Sequence, residues 1–238
     1  MWVPLYRIAG LIVEMFPRYN PLKRQAKPYL MERACCGSID CSIPDNPSIV
    51  TAYQKAHPAL SIEDCEYLLY GSVFYQSLID HQGIVLHASC VCYEGEAYLF
   101  SGPSGIGKST LATLWTQHYP HSLVVNDDKP ALVVDEQEIM AYGTPFSGKT
   151  DKNLNMKCPV KAIVFLERGK KNDMRLLEAK RAIPLIFSET MLPKTEDKLD
   201  KMVKTVERIQ RMVPIYQMRF VNNTDAAVTV HETVNSLR

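Results

Sequence analysis

The sequence predicts an α/β fold, in which short apolar runs of strand length alternate with longer segments of helical periodicity. Three observations support this prediction. A strand, a glycine-rich loop and a helix follow one another over 97–118, a strand and a hairpin over 123–142, and a strand, a helix and a strand over 160–221. This order is typical of helices packed on a central sheet.

The first unit opens with the apolar run 97–100, which has the length of a short strand. The glycine-rich loop begins at Gly102, and apolar residues then recur at helical spacing over 111–118. The later predicted elements are a strand at 123–125, a hairpin formed by 131–134 and 139–142, a strand at 160–166, a helix from near Thr195 to Pro214, and a strand at 215–221.

The N-terminal part of the sequence has a different pattern of residues. Residues 2–15 predict a strand or hairpin, and 17–47 are rich in proline and turn residues. Ser61 and Asp64 resemble a helix cap, so a helix is expected to follow. Its predicted apolar stripe consists of Leu68, Leu69, Val73 and Leu78.

Length and composition limit the classes of protein. The chain has 238 residues, enough for one large α/β domain or one domain with a modest appendage. Its formal net charge of +1 gives no electrostatic reason to expect nucleic acid or a membrane as a partner. The opening 1–16 is interrupted by Arg7 and Glu14 and predicts neither a spanning helix nor a secretory signal, so a cytoplasmic location is expected.

The cysteines predict neither a disulfide framework nor a zinc site. There are seven of them; Cys35 and Cys36 are adjacent, and Cys90 and Cys92 lie in an apolar run of strand type. Reduced and mostly buried thiols are therefore expected.

The glycine-rich loop has the spacing of a phosphate-binding loop. Its glycines allow the backbone N–H groups to point inward, where they and the start of the next helix can bind phosphate oxygens. Lys108 can reach the β- and γ-phosphates, and the Ser109 hydroxyl can bind Mg²⁺. The alternative is a plain turn with an exposed lysine, but the flanking strand and helix favour a nucleoside triphosphate, ATP with Mg²⁺. The predicted cofactor-binding residues are Gly102, Pro103, Ser104, Gly105, Ile106, Gly107, Lys108, Ser109 and Thr110.

Asp127 and Asp128 end the strand that follows the loop helix. Ligands of α/β proteins bind at that edge of the sheet. One carboxylate can hold the metal while the other accepts the proton of an attacking hydroxyl. Without the loop, a solvated turn or helix cap would be the better interpretation. His87 closes an apolar run before the loop, and on spacing alone it is better explained as a half-buried structural histidine.

Taken together, three short segments resemble the catalytic domain of HPr kinase/phosphorylase and its relative, ATP-dependent phosphoenolpyruvate carboxykinase. They are His87-Ala88-Ser89, the run 102–111 and Asn126-Asp127-Asp128. The resemblance covers 83–150 well. The arginine- and glutamate-bearing signature and the long N-terminal domain of the full enzyme have no counterpart here, so neither recognition of HPr nor phosphorylase activity is carried over.

The resemblance implies a phosphoenolpyruvate-carboxykinase-like mixed sheet with a P-loop and flanking helices. It also implies that Asp127 is the base toward the acceptor hydroxyl, that Asp128 lies near the metal, and that His87 lies beside them with Lys108 in the catalytic set. On this basis we divide the chain into an N-terminal α+β segment, 1–82, packed on an HPr-kinase-like catalytic domain, 83–238.

The leading hypothesis is an ATP- and Mg²⁺-dependent kinase that phosphorylates a serine-like hydroxyl of a peptide, a protein or a small molecule. The loop alone would equally suit a nucleotide-binding regulatory or scaffold protein with little turnover. A carboxykinase-type lyase is less favoured, because no arginine cluster accompanies the loop. The sequence leaves the acceptor and the oligomeric state open, including a homo-oligomer.

Overall fold

The structure is a computed structural model that describes residues 3–32 and 37–236. Within these residues the strands are β1 (Leu5–Ile8), β2 (Leu11–Glu14), β3 (Cys41–Ser42), β4 (Gly83–Val85), β5 (Ala88–Tyr93), β6 (Glu96–Ser101), β7 (Leu123–Asn126), β8 (Ala131–Val134), β9 (Ile139–Tyr142), β10 (Lys157–Arg168), β11 (Asp173–Leu176) and β12 (Ile215–Phe220). The helices are α1 (Leu22–Ala26), α2 (Pro47–Ala56), α3 (Ile62–Asp80), α4 (Lys108–His118), α5 (Ala179–Ser188), α6 (Glu196–Met212) and α7 (Asp225–Asn235).

Nine strands form one mixed sheet. Seven of them lie in the order β4-β8-β9-β10-β6-β5-β7, and β12 pairs with both β10 and β11. β10 is parallel to β6 and β12, whereas the other pairs in this sheet are antiparallel. The predicted α/β fold with a mixed sheet and flanking helices is confirmed.

Helices cover both faces of the large sheet around β10. Alternate side chains of β10 point to opposite faces, as the pleat of a strand requires. Ala162, Val164 and Leu166 belong to the apolar cluster that includes α4 and α7. Ile163 and Phe165 belong to the cluster that includes α5 and α6. The strand is therefore buried on both faces, which explains its continuous apolar sequence.

The N-terminal residues form a second, three-stranded sheet, β1-β2-β3. Its strands share an apolar cluster with α3 and with the hairpin region of the large sheet, where Phe146 stacks on Phe74 at 5.8 Å between ring centroids. The small sheet thus packs on the large one through α3. The division of the chain at residue 82 remains a prediction.

Most predicted elements occur in the structure. The hairpin expected in 2–15 is the β1–β2 pair, and the hairpin of 131–142 is β8–β9. The helix expected from Thr195 is α6, with Thr195 as its N-cap. The strand predicted at 160–166 is longer in the structure, because β10 also pairs with β9 through its first three residues.

The predicted apolar stripe of α3 is wrong. Leu68 is 45% exposed and Val73 is 39% exposed, whereas Leu78 is buried and Leu69 is intermediate. The buried residues of α3 are Cys65, Glu66, Tyr70, Gly71, Phe74, Tyr75, Leu78 and Ile79. Aromatic side chains cover more apolar area than a leucine or valine, so they determine which side of this helix is buried.

The described cysteines are free and buried, as predicted; they are Cys41, Cys65, Cys90, Cys92 and Cys158. The adjacent pair Cys35-Cys36 lies outside the described residues. In the described part of the chain, no helix combines the length and the apolar character needed to cross a membrane.

The N-terminus of α3 provides a test of the predicted cap. Ser61 Oγ accepts from the Asp64 backbone N–H at 3.0 Å and donates to the Asp64 carboxylate at 2.8 Å. Ser61→Ala should lower the free energy of unfolding by about 1 kcal/mol, because one N–H loses its acceptor. Urea unfolding followed by circular dichroism measures this change.

Thr195→Ala is the matched control, because Thr195 caps α6 without a side-chain hydrogen bond. It should change the free energy of unfolding by less than about 0.5 kcal/mol. Equal losses in both variants would contradict a specific role for the Ser61 hydroxyl.

Candidate functional site

The glycine-rich loop connects the end of β6 to the start of α4. Gly107 is the N-cap of α4 and has a φ of 117°, in the region that favours glycine. A Cβ at this position would lie 2.5 Å from Cε1 of Phe220. The loop therefore requires glycine here both for its backbone angle and for its contact with the end of β12.

Lys108 is the first residue of α4 and is buried. Its Nζ donates to the carbonyl oxygens of Gly102 at 2.7 Å and Pro103 at 3.2 Å, which uses two of its three N–H donors. Burial lowers the pKa of Lys108, although nearby carboxylates, led by Glu189, oppose that shift. The loop thus holds a cation at the base of the following helix.

Asn126 positions the two aspartates. This fully buried residue ends β7, and its Oδ1 accepts from the backbone N–H groups of Asp128 at 2.9 Å and Lys129 at 2.7 Å. Its Nδ2 donates to the Thr144 carbonyl at 2.8 Å. The amide of Asn126 therefore shapes the turn that carries Asp127 and Asp128.

Asp127 has one paired and one unpaired carboxylate oxygen. Ser89 Oγ donates to its Oδ1 at 2.5 Å, while its Oδ2 is buried and has no hydrogen-bond partner among the described residues. The residue as a whole is 5% exposed. An unpaired buried carboxylate oxygen is costly, so this atom suits a cation or a hydroxyl proton brought by a ligand.

The Asp128 carboxylate lies beside two basic side chains. Its Oδ1 is 2.8 Å from Lys129 Nζ and 3.4 Å from His87 Nε2. Gly148 approaches the same side chain, because a Cβ there would lie 3.1 Å from Asp128 Cβ. A metal ion bound by Asp128 would therefore compete with the ammonium of Lys129.

His87 occupies the bend between β4 and β5 and lies between two carboxylates. Its Nδ1 is 3.0 Å from Glu189 Oε2, and its Nε2 faces Asp128. The pKa of His87 is lowered, first by burial and then by the cations of Lys129 and Lys108. The histidine contacts Asp128, whereas the partner of Asp127 is Ser89.

His87, Gly107, Lys108, Asp127 and Asp128 line one cleft of about 960 Å³. Of the residues predicted from the sequence, those in its lining are His87, Ser104, Gly105, Gly107, Lys108, Ser109, Thr110, Asp127 and Asp128. Gly102, Pro103 and Ile106 are not among the lining residues. Gly102 is buried behind Lys108, and Ile106 packs against the apolar cluster of α4.

Part of the cleft comes from the N-terminal region and from the loop after β9. Gln25 Nε2 donates to the Gly148 carbonyl at 2.9 Å, and Tyr67 Oη accepts from the Gly148 N–H at 2.9 Å. Arg24 pairs with Asp151 on the same loop. Helices α1 and α3 thus hold the loop that carries Gly148 and Asp151, which lines part of the cleft.

Sequence reasoning assigned no role to Ser89, Asn126, Glu189 or Gln25. Ser89 and Asn126 belong to the two short segments that contain His87 and Asp127. Their closeness in sequence to these predicted site residues could therefore have indicated that they are part of the site. Glu189 is separated from His87 by 102 positions and Gln25 from Gly148 by 123, and their neighbourhoods carry no motif. Only the folded structure brings these two residues into contact with His87 and Gly148, which line the cleft.

Within the described residues, no group of three or more histidine, cysteine, aspartate or glutamate side chains could hold a metal ion. The oxygen groups that line the cleft include the Ser109 hydroxyl and the carboxylates of Asp127 and Asp128. Mg²⁺ is commonly bound by one or two carboxylates together with phosphate oxygens and water, so this donor set fits the ion.

The fold and the cleft define an α/β protein in which a glycine-rich strand–loop–helix unit faces two aspartates at the edge of a mixed sheet. The family model described as "SynChlorMet cassette protein ScmC" matches residues 64–225, more than half of the chain. The chain belongs to this family.

The chain is also similar to a solved structure, the Hpr(Ser) kinase/phosphatase from Coxiella burnetii, at 14% sequence identity and a TM-score of 0.39. That match covers 64% of this chain and 97% of the other. Comparison with curated proteins finds no match.

The Asn126 hydrogen bonds lead to a prediction about stability. Asn126→Ala would leave two backbone N–H groups and the Thr144 carbonyl without their partner, so we expect a loss of about 2 to 4 kcal/mol in the free energy of unfolding. Asn155→Ala, an exposed asparagine with one bond to the Pro28 carbonyl, is the control and should have little effect. Chemical denaturation of both variants tests this; similar midpoints would contradict the anchoring role.

Proposed function

We propose that this protein is an ATP- and Mg²⁺-dependent kinase that transfers the γ-phosphoryl group to a serine-like hydroxyl. The observation that carries the proposal is the unpaired Oδ2 of Asp127, a buried carboxylate oxygen in the same cleft as Lys108 and the glycine-rich loop. A base close to a phosphate-binding loop is what transfer to an alcohol requires.

The nucleotide phosphates would bind at the start of α4. The first N–H groups of a helix have no partner within it, and the helix dipole favours an anion there. Lys108 supplies a positive charge that is already desolvated and therefore interacts strongly with phosphate. Its present acceptors are neutral carbonyls, which bind an ammonium less strongly than phosphate oxygens do.

Ser109 and Asp128 would hold Mg²⁺, with water and phosphate oxygens completing the coordination. When bound, the ion neutralises charge on the phosphate oxygens. Lys129 now pairs with Asp128 and can turn outward toward solvent, since its side chain is 27% exposed. With Lys129 turned outward, the Asp128 carboxylate would be free to hold the ion.

Asp127 would accept the hydroxyl proton of the acceptor. In the proposed reaction the acceptor oxygen forms a bond to the γ-phosphorus, the bond from that phosphorus to the β,γ-bridging oxygen breaks, and ADP leaves. Ser89 holds Oδ1 of Asp127, so the free Oδ2 takes the proton. The acceptor is proposed to be a peptide, a protein or a metabolite, and neither nucleic acid nor a membrane is proposed as a partner.

Nucleotide binding can be tested by thermal unfolding. Millimolar Mg-ATP should raise the melting temperature, because a ligand that binds only the folded state stabilises it. Lys108→Ala should remove most of this shift. Lys180→Ala, which removes an exposed lysine of α5 paired with Glu178, should leave the shift intact. An unchanged melting curve of the unmodified protein would refute the proposed nucleotide site.

Asp127→Asn separates binding from chemistry. Affinity for Mg-ATP should change by less than about tenfold, whereas phosphoryl transfer should fall by about 10² to 10⁴, the usual contribution of a positioned base. The measurement is single-turnover transfer from γ-labelled ATP to acid-stable esters in a lysate of the source cell. Asp135→Asn, the same change at an exposed aspartate, is the control.

Transfer at the unmodified rate by the Asp127 variant would show that the base assignment is wrong. Label released only as free phosphate, with no ester formed by the unmodified protein, would instead favour a regulatory nucleotide-binding protein.

A further inference from the structure

Glu189 joins two parts of the chain that lie far apart in sequence. It is the C-cap of α5, a helix that packs against the sheet through Ala182 and Ile186. Its side chain is only 10% exposed, and it ends beside the bend that carries His87. No part of the proposed kinase mechanism uses this carboxylate.

Two contacts connect Glu189 to His87. The His87 backbone N–H donates to the Glu189 carbonyl at 2.7 Å, and Glu189 Oε2 lies 3.0 Å from His87 Nδ1. The neighbouring residue strengthens the connection, because Thr190 Oγ1 donates to the Val85 carbonyl at 2.6 Å and Thr190 also bridges to Leu86. Backbone and side chain of the histidine are therefore fixed by the same short segment.

The carboxylate determines which nitrogen of His87 carries a proton. An ionised carboxylate can only accept hydrogen bonds, so Nδ1 is the donor in the hydrogen bond to Glu189 at 3.0 Å. Nε2 lies 3.4 Å from Asp128 Oδ1 and makes no hydrogen bond to it, so the proton is assigned to Nδ1. The ring is then held with Nε2 directed toward Asp128 and the cleft. Carboxylate partners fix the orientation and tautomer of functional histidines in this way.

We propose that Glu189 is a positioning residue of the active site, which acts through His87 by holding its imidazole as the Nδ1–H tautomer with Nε2 turned toward Asp128. The inference rests on the proposed phosphoryl transfer for its catalytic consequence. The tautomer of His87 does not depend on that reaction.

A direct route from Glu189 to Lys108 is the competing explanation. The Glu189 carboxylate is among the charges that act on the Lys108 ammonium, so its removal could weaken nucleotide binding instead. The two routes predict different results: an effect through Lys108 appears in the affinity for Mg-ATP, whereas an effect through His87 appears in the rate and vanishes when His87 is absent.

The kinetic test is a double-mutant cycle on the release of phosphate from Mg-ATP, with water in place of the acceptor hydroxyl. Glu189→Ala should lower kcat by about 10- to 100-fold, the usual cost of losing such a partner, with the affinity for Mg-ATP within about threefold of the original. In the His87→Ala background, the additional loss should be less than about threefold. Glu189→Gln, which keeps an acceptor oxygen, should recover most of the rate.

Glu178→Ala is the matched control, because Glu178 lies at the opposite end of α5 and is about three-quarters exposed. It should leave both rate and affinity unchanged. Melting temperatures of all variants without nucleotide identify any that fail to fold. Glu189→Met, which has a similar length but no carboxylate acceptor, takes the place of Glu189→Ala if that variant is one of them.

A spectroscopic measurement separates this proposal from the proposed function. Nitrogen shifts of isotope-labelled histidine, assigned to His87 by the loss of its signal in His87→Ala, should show the Nδ1–H tautomer in the unmodified protein and in Glu189→Gln. Glu189→Ala should lose that preference. If the protein shows this tautomer pattern but transfers no phosphoryl group, the proposed kinase function is refuted and the role of Glu189 is not. An unchanged tautomer in Glu189→Ala, or rate losses that add fully with those of His87→Ala, would overturn the role of Glu189.

Discussion

The pairing of β10 is the constraint on which the rest of the structure depends. Its twelve residues pair with β9 at the start and with β6 and β12 further along, and a register shift between Val160 and Ala162 allows the strand to serve both regions. One strand thereby connects the antiparallel hairpin that follows the aspartates with the parallel strands beside the glycine-rich loop. The cleft exists because both regions belong to a single sheet.

Several buried polar groups around the cleft are paired with one another or with backbone groups. Both the oxygen and the nitrogen of the Asn126 amide form hydrogen bonds, and the Ser89 hydroxyl donates to Asp127. The Lys108 ammonium donates to carbonyl oxygens of the loop. Each pair offsets a desolvation cost that burial would otherwise impose. Among the described side chains, the buried atoms without a hydrogen-bond partner are Asp127 Oδ2, Asn153 Oδ1 and Trp115 Nε1, and Asp127 Oδ2 is the carboxylate oxygen among them.

The sequence predicts the parts of the fold and site that local chemistry determines. The loop and its helix follow from glycine spacing and apolar periodicity, and the two aspartates follow from the end of a strand. The buried side of α3 could not be read in this way, because Phe74 and Tyr75 outweigh Leu68 and Val73 only when the small sheet and Phe146 are present to receive them. Glu189 reaches His87 only through the packing of α5, which brings together two residues 102 positions apart. The roles assigned to the individual site residues remain predictions.

Gln25 gives the N-terminal region a thermodynamic connection to the cleft. This residue is 2% exposed, and its amide bonds to Gly148 and to the Asp151 carboxylate, on the loop that closes one side of the site. Any ligand that orders this loop also favours the docked state of α1, by linkage. Local opening of α1 and occupancy of the cleft would then be opposing equilibria, so amide hydrogens in α1 are expected to exchange more slowly when the site is filled.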